Sequence, residues 1–288
     1  MNATGAAAET RLEKAVRAWN VEAERITETP TSIVALGRRG KLPVVIKIIK
    51  FRGDEWSSGQ VLEWFDGKGA VRVYDHIDGA MLLECADPGT SLASALPSGG
   101  DRWAAEVLGD VVATMAPRTP ARGAPTVQEW GEGFERYLSS GDRRLSRGVV
   151  SEARRVYSRL CTSQTRPRLL HSDLHHGNAL FDSGRGWLAV DPKGVIGEPE
   201  YEVGATLRNP LELPDLFTDP AVIRSRVEVL ARVACLDRSR ILAWAFAQTV
   251  LSTIWLVEDG IVVEPNHPWI VLAEVIRPML EPIDRVVV

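Results

Sequence analysis

Three side chains dominate the chemistry open to this chain. Asp173 and Asn178 lie five residues apart in the polar run His171-Ser-Asp-Leu-His-His-Gly-Asn178. Asp191 closes the short apolar segment Trp187-Leu-Ala-Val-Asp191, thirteen residues after Asn178. Phosphoryl transfer from a nucleotide calls for such a set. One carboxylate meets the acceptor hydroxyl, while an amide oxygen and a second carboxylate hold a divalent cation on the phosphates. Magnesium takes few protein oxygens and completes its shell with phosphate and water, so two ligands suffice. Asp173 is then the catalytic group, and Asn178 and Asp191 are the Mg²⁺ ligands. Gly177 is expected to let the loop turn tightly beside them, and His171 to support the loop by hydrogen bonds.

A cation is expected on the phosphate side. Val44-Val-Ile-Lys47-Ile-Ile-Lys50 places a lysine inside an apolar run. In a strand, Lys47 shares a face with Val45 and Ile49. A buried ammonium needs a carboxylate or a phosphate to offset its desolvation. The competing reading makes Lys47 an edge-strand charge that blocks aggregation. Glu55 and Glu63, two turns apart on the next helix, are both placed to pair with it, and Glu55 is preferred. Lys50, at the strand end, is expected in solvent.

A metallohydrolase is the rival chemistry. His171, His175, His176 and Asp173 are ligand types that suit zinc or iron. Such a site needs further ligands. The chain has five histidines, and the other two, His76 and His267, read as loop residues.

The elements that must position these groups fall into two halves. The pattern predicts a leading helix over 7–18, strands over 21–26, 32–36 and 43–49, a helix over 54–65, and strands over 70–74 and 81–84. Gly37-Arg-Arg-Gly40 reads as a hairpin turn, and Asp54 and Gly67 as the ends of the 54–65 helix. Helices follow at 101–116, 126–138, 148–163, 220–235, 237–258 and 268–281, with strands at 168–171 and 187–191 between the third and fourth. Residues 1–84 thus read as a small lobe with a five-stranded sheet and one helix, 85–90 as a hinge, and 91–288 as a larger helical lobe. The class is α+β.

Composition sets the bounds. A chain of 288 residues with 45% hydrophobic and 25% charged residues can bury a large core. The formal charge of −4 lacks the basic excess of a general nucleic-acid binder. Cys85, Cys161 and Cys235 are scattered and form no CxxC pair, as expected of reduced thiols in a cytoplasmic protein. Neither a signal peptide nor an apolar run of the roughly 18 residues that span a membrane is read.

The run 171–178 resembles the catalytic loop of aminoglycoside phosphotransferases and other small-molecule kinases with a bilobal protein-kinase-like fold. Ser172 stands where protein kinases usually carry Arg, and Asp191-Pro-Lys-Gly194 stands for their Asp-Phe-Gly. No GxGxxG precedes Lys47 and no Ala-Pro-Glu follows, which argues against a protein kinase. Phe65-Asp-Gly-Lys-Gly-Ala-Val-Arg-Val73, the segment 185–199 and Ile254-Trp-Leu-Val-Glu-Asp-Gly260 are similar to the streptomycin 6-kinase and hydroxyurea phosphotransferase branch. The resemblance implies Asp173 as base, Asn178 and Asp191 on Mg²⁺, Lys47 on the α/β-phosphates, and Glu55 as its partner. It implies that Thr31 and Ser32 turn over the phosphates and that backbone groups of Glu84 to Ala86 meet the adenine. ATP is the usual donor, with GTP left open. A role in antibiotic resistance, a housekeeping role on an unidentified cellular metabolite, and a non-catalytic nucleotide-binding module all remain open.

The acceptor is expected to be a small hydroxylated cation, streptomycin-like, or hydroxyurea; neither nucleic acid nor a membrane is expected, and the chain is expected as a monomer or homodimer. Carboxylates near Asp173 would grip such a cation. Glu258 and Asp259 end a long helix where its dipole disfavours negative charge. Glu198, Glu200 and Tyr201 follow the metal loop and are candidates for the cleft. Trp244 and Trp255, eleven apart, share a helix face. Core packing is the plainer use for that face, and a wall for a sugar or guanidinium the sharper one.

Overall fold

Alternation decides the small half. The computed structural model describes residues 3–115, 121–282 and 286. Strands β1 (Glu22–Glu28), β2 (Ser32–Arg39), β3 (Leu42–Ile49), β4 (Val73–Ile77) and β5 (Ala80–Glu84) form one antiparallel sheet in the order β1-β2-β3-β5-β4. On β3, Val44, Ile46 and Ile48 are fully buried, in one cluster with Leu12, Ala15 and Trp19 of and just beyond helix Ala3–Ala18. Each such side chain contributes roughly 1.5–3 kcal/mol. Because successive residues alternate faces, Val45, Lys47 and Ile49 turn to the other side, toward the second half. The β2–β3 turn sits at Gly40, whose φ is +62°. Gly37 lies inside β2, where a Cβ would come within 2.3 Å of the Glu22 carbonyl oxygen.

Helix Ser58–Phe65 follows a 3-10 turn, Asp54–Ser57, whose N-cap is Gly53 rather than Asp54. It packs Val61, Leu62 and Phe65 into the larger core, together with Ile49, Met81 and Leu83. The sheet is thus sandwiched between one helix behind and the rest of the molecule in front.

Residues 88–90 of the expected hinge lie in a strand. Residues Pro88–Ser91 form β6, which pairs with β8 (Ala179–Asp182), and β8 pairs with β9 (Gly186–Ala189). Between these, β7 (Arg168–Leu170) pairs with β10 (Val195–Gly197). The Asp87 amide donates to Asp182 Oδ2 at 3.1 Å, and its carbonyl accepts from Ser183 N at 2.8 Å. The segment before β6 and the β8–β9 hairpin are therefore one stitched unit.

Helices Asp101–Thr114, Arg147–Thr162, Pro220–Ala234, Arg238–Glu258 and Pro268–Ile276 build the larger half. Residue 116 of the expected 101–116 helix lies outside the described residues. The expected 126–138 helix is two pieces, Val127–Trp130 and Glu132–Ser140, and the last expected helix stops at Ile276 before a 3-10 turn. Helix Arg238–Glu258 has the length and apolarity of a membrane span, contrary to the expectation that every apolar run is too short for one. In the fold, 78% of that apolar window is buried inside the chain, so its surface is spent on the core.

Candidate active site

Two backbone ladders bring the key loops together. Val190 N donates to the Asn178 carbonyl at 2.9 Å, so the β9 end lies against the end of the catalytic loop. Ala189 is held on its other side by Gly69 and Val71, at 2.8 and 3.0 Å. Beyond it, Asp191 adopts φ +60°, as does Ser172 at +64°. These left-handed non-glycine residues are costly. They flank the candidate chemistry, whereas Gly177 has no positive φ and sits in the 3-10 turn His176–Asn178.

Asp191 meets the ammonium of Lys47 at 2.6 Å, and Glu55 Oε2 lies 3.9 Å from the same nitrogen. Glu63 sits elsewhere, 3.4 Å from His76 Nε2. Lys47 is buried at 7% exposure, in a strand that is third of five, so it is no edge-strand charge. The helix and the Asp191 loop are docked directly: Ser58 Oγ donates to the Pro192 carbonyl at 2.6 Å. Gly194 follows at φ +80°, with Val61 so close that any Cβ would fall 2.4 Å from its methyl.

The candidate catalytic loop hangs on a buried carboxylate that the sequence reading missed. Glu202 accepts from His171 N at 2.7 Å and from Ser172 N at 2.8 Å. Burial pushes its carboxyl up to about 7 in spite of those two donors. His171 Nε2 donates to the Val190 carbonyl at 2.7 Å, and its Nδ1 accepts the Asp173 amide at 3.3 Å. Burial depresses this imidazole to about 4, so it is neutral and both ring nitrogens are spent. Burial likewise lowers His175, whose Nδ1 accepts from Gly177 N at 3.0 Å, and pushes His176 down to about 3. Among the described residues no group of three His, Cys, Asp or Glu is arranged to hold a metal ion, so the three-histidine metallohydrolase arrangement is not formed.

The donors Asn178 and Asp191 do suit a hard cation bridging nucleotide phosphates. Asn178 spends its Nδ2 on the Asp173 carbonyl at 3.0 Å, which reserves the amide oxygen for another use. Asp191 offers carboxylate oxygens on the strand end beside it.

Asp173 is flanked by two cations absent from the sequence reading. Lys193 Nζ is 3.5 Å from Oδ2 and Arg208 Nη2 is 3.9 Å from Oδ1. Burial raises the Asp173 carboxyl, but Lys193, His175, Arg208 and His171 outweigh it and leave it at about 2. Arg208 is itself buried, donates to Gln248 Oε1 at 2.5 Å, and lies over the Trp269 ring at 5.7 Å. Lys193 stood in the quoted Asp191-Pro-Lys-Gly194 segment and was a readable signal; Arg208 had none nearby in sequence.

A cavity of about 540 Å³ opens at Asp173. Its walls include Trp130, Trp255 and Trp269, and it carries the carboxylates Asp54, Glu129, Glu258 and Asp259. Glu258 is paired with Arg136 at 3.1 Å. Trp130 and Trp255 meet edge to face at 5.6 Å.

Three expected cleft residues are elsewhere. Glu198 is fully buried and takes Arg240 Nε and Nη2 at 2.9 Å each, plus the Trp244 indole N–H. Glu200 is buried, 3.8 Å from Arg166, and accepts the Asp237 amide. Tyr201 packs edge-on against Tyr157 and Trp244 in the core. The expected nucleotide-side residues are partly engaged within the protein itself. The Ser32 hydroxyl is buried and closes the turn with Thr29 Oγ1 at 2.9 Å, while Thr31 stays exposed. The Glu84 carboxylate is spent on Arg72, at 3.0 Å, and on Arg185, so Glu84, like Ala86 beside it, can meet a base through its backbone alone. Lys50 is not solvated but holds Glu28 at 2.6 Å.

Residues 17–260 match the sequence profile of the aminoglycoside/hydroxyurea antibiotic resistance kinases. The chain belongs to that family. It is 32% identical over 238 residues to a streptomycin 3''-kinase of Klebsiella pneumoniae, covering 81% of this chain and 86% of that one. It is also 32% identical over 235 residues to a hydroxyurea phosphotransferase of Kitasatospora aureofaciens, covering 77% of this chain and 65% of the relative. An amicoumacin kinase solved with AMP-PNP and Ca²⁺ superposes with a TM-score of 0.67 over 96% of this chain and 93% of its own. At 16% identity that likeness speaks for the fold alone, and the fold is the bilobal protein-kinase-like one.

Proposed function

We propose that this family member transfers the γ-phosphoryl group of ATP to a hydroxyl of a polyhydroxylated cation of the streptomycin type. The observation that carries the reading is the shared position of Asp173, which lines the acidic, Trp-walled cavity and whose carbonyl accepts from Asn178 Nδ2, while Asn178 is itself bonded to the strand end that bears Asp191. Asn178 and Asp191 would hold Mg²⁺, which neutralises phosphate charge when bound. Lys47, fixed by Asp191 and Glu55, would take phosphate oxygens. With its carboxyl held near 2, Asp173 is ionised at working pH and serves mainly to orient the acceptor O–H.

The cavity favours a large cation over hydroxyurea. Five carboxylates, counting Asp173, face three permanent cations, Arg136, Lys193 and Arg208. About 540 Å³ suits a multi-ring ligand and greatly exceeds a molecule the size of urea plus one oxygen. Trp130 and Trp255 supply faces on which a guanidinium can lie.

The test is a phosphate-transfer screen with ATP and Mg²⁺ over streptomycin, other aminoglycosides, hydroxyurea and amino sugars. The expected result is saturable transfer to streptomycin and far weaker transfer to hydroxyurea. Efficient turnover of hydroxyurea with none of streptomycin would overturn the acceptor. Nucleotide binding without transfer to any acceptor or to water would favour a non-catalytic module.

A further inference from the structure

Asp173 presents an electrostatic problem. A permanent carboxylate must stand beside a hydroxyl that attacks a phosphoryl group bearing negative charge on its outer oxygens. Two anions that close repel unless a cation lies between them. Lys193 and Arg208 both approach Asp173, and the structure separates their roles.

Arg208 is locked. Its Nη1 is bonded to Gln248 at 2.5 Å, Gln248 donates onward to the Tyr201 carbonyl at 3.3 Å, and the guanidinium lies over Trp269. It can hold Asp173 but has no room to follow a moving group. Lys193 differs in each respect. Its main chain is pinned, with N–H donating to the His171 carbonyl at 3.1 Å. Its ammonium is a quarter exposed on a flexible stem, lines the same cavity, and has Asp173 at 3.5 Å as its carboxylate neighbour. It also stands two residues after Asp191, so it projects from the loop that would meet the phosphates.

We propose that Lys193 is a further catalytic residue, whose ammonium bridges Asp173 and a non-bridging oxygen of the transferring γ-phosphoryl group, while Arg208 is a positioning residue for Asp173. The inference rests on the kinase reading above. In the step, the acceptor oxygen forms its bond to the γ-phosphorus as the bond to the β–γ bridging oxygen breaks. ADP leaves with that electron pair. The acceptor proton passes to Asp173 and from there to water. Lys193 keeps its proton throughout and stabilises charge that is largest in the transition state. Lys47 and Lys193 would then hold opposite ends of the phosphate chain.

The experiment uses the full chain with ATP and Mg²⁺ and follows transfer both to streptomycin and to water. Water serves as an acceptor that does not depend on the cavity. Lys193→Ala is expected to lower kcat about 100-fold in both arms, with KM for ATP and streptomycin changed less than about threefold. Lys193→Arg should restore part of the rate. Replacing ATP by ATPγS should slow the wild type more than Lys193→Ala, because the variant has already lost the contact to the outer oxygen. A structural role would not move that ratio. A loss confined to KM for streptomycin, an unchanged thio ratio, or wild-type hydrolysis in Lys193→Ala would overturn the proposal. Absence of streptomycin transfer in the wild type, with hydrolysis intact, would overturn the acceptor reading alone, and the water arm would still decide Lys193. A wild type inert toward both would overturn both.

Discussion

Asp173 carries the sharpest consequences at the level of single side chains. On the proposed reading, removing it takes away the group that would align the acceptor and leaves Lys47, Asn178 and Asp191 in place. Asp173→Ala is therefore expected to lower kcat at least about 1,000-fold, while calorimetric affinity for Mg·ADP changes little. Retained turnover would contradict its role. The nearness of Lys47, Asp173, Asn178 and Asp191 could be expected because their signals are local: an ammonium in an apolar strand, and oxygen-bearing side chains at short spacing. Glu198, Glu200 and Tyr201 were misread for the opposite reason. Their partners Arg240, Trp244 and Arg166 lie far along the chain, and a carboxylate's burial cannot be read without them.

Elements do their work through a few buried polar anchors. Glu202 ties the helix Pro199–Glu202 to both amides before Asp173. Its folded pKa of about 7 lies above the ordinary carboxylate value of 4.5. A raised pKa means that its contribution to stability is fully present below pH about 4.5 and is lost as pH rises through about 7. The total is up to about 3 kcal/mol. Urea unfolding of wild type and Glu202→Gln across this range should show the wild type losing that advantage as pH rises; a constant difference would refute the assignment. Arg226 is a second anchor. It is 1% exposed, pairs with Asp101 at 2.6 Å, and donates to the Thr206 and Asn209 carbonyls at 3.0 and 2.7 Å. It thereby fixes the segment that bears Arg208. Arg226→Ala leaves a partly exposed carboxylate and two carbonyls without their partner, and should cost about 1–3 kcal/mol by denaturant unfolding. The long helices were readable from periodicity. Strand β6 was not, because Pro88-Gly89 has loop chemistry and its partner β8 lies far along the chain.

For the whole molecule, the sheet is held against the helical part by Ala189, Ser58 and the Glu84–Arg185 contact. On the proposed reading, a nucleotide bound between the halves would add to that hold. Mg·ADP at 100 times its dissociation constant should stabilise the wild type by about 2.7 kcal/mol and raise its thermal midpoint by several degrees. Lys47→Ala should lose most of that shift and Asp173→Ala should keep it. The two-part architecture was legible from the change of period near residue 90. The cavity was not, since Trp130, Trp255 and Trp269 come from three separate helices or their edges.

The most direct measurement of the central claim is mass spectrometry of streptomycin incubated with the protein, ATP and Mg²⁺. The account predicts a product carrying one added phosphoryl group, formed by the wild type and absent with Asp173→Ala. Unmodified streptomycin with the wild type, or equal product from both proteins, would contradict it.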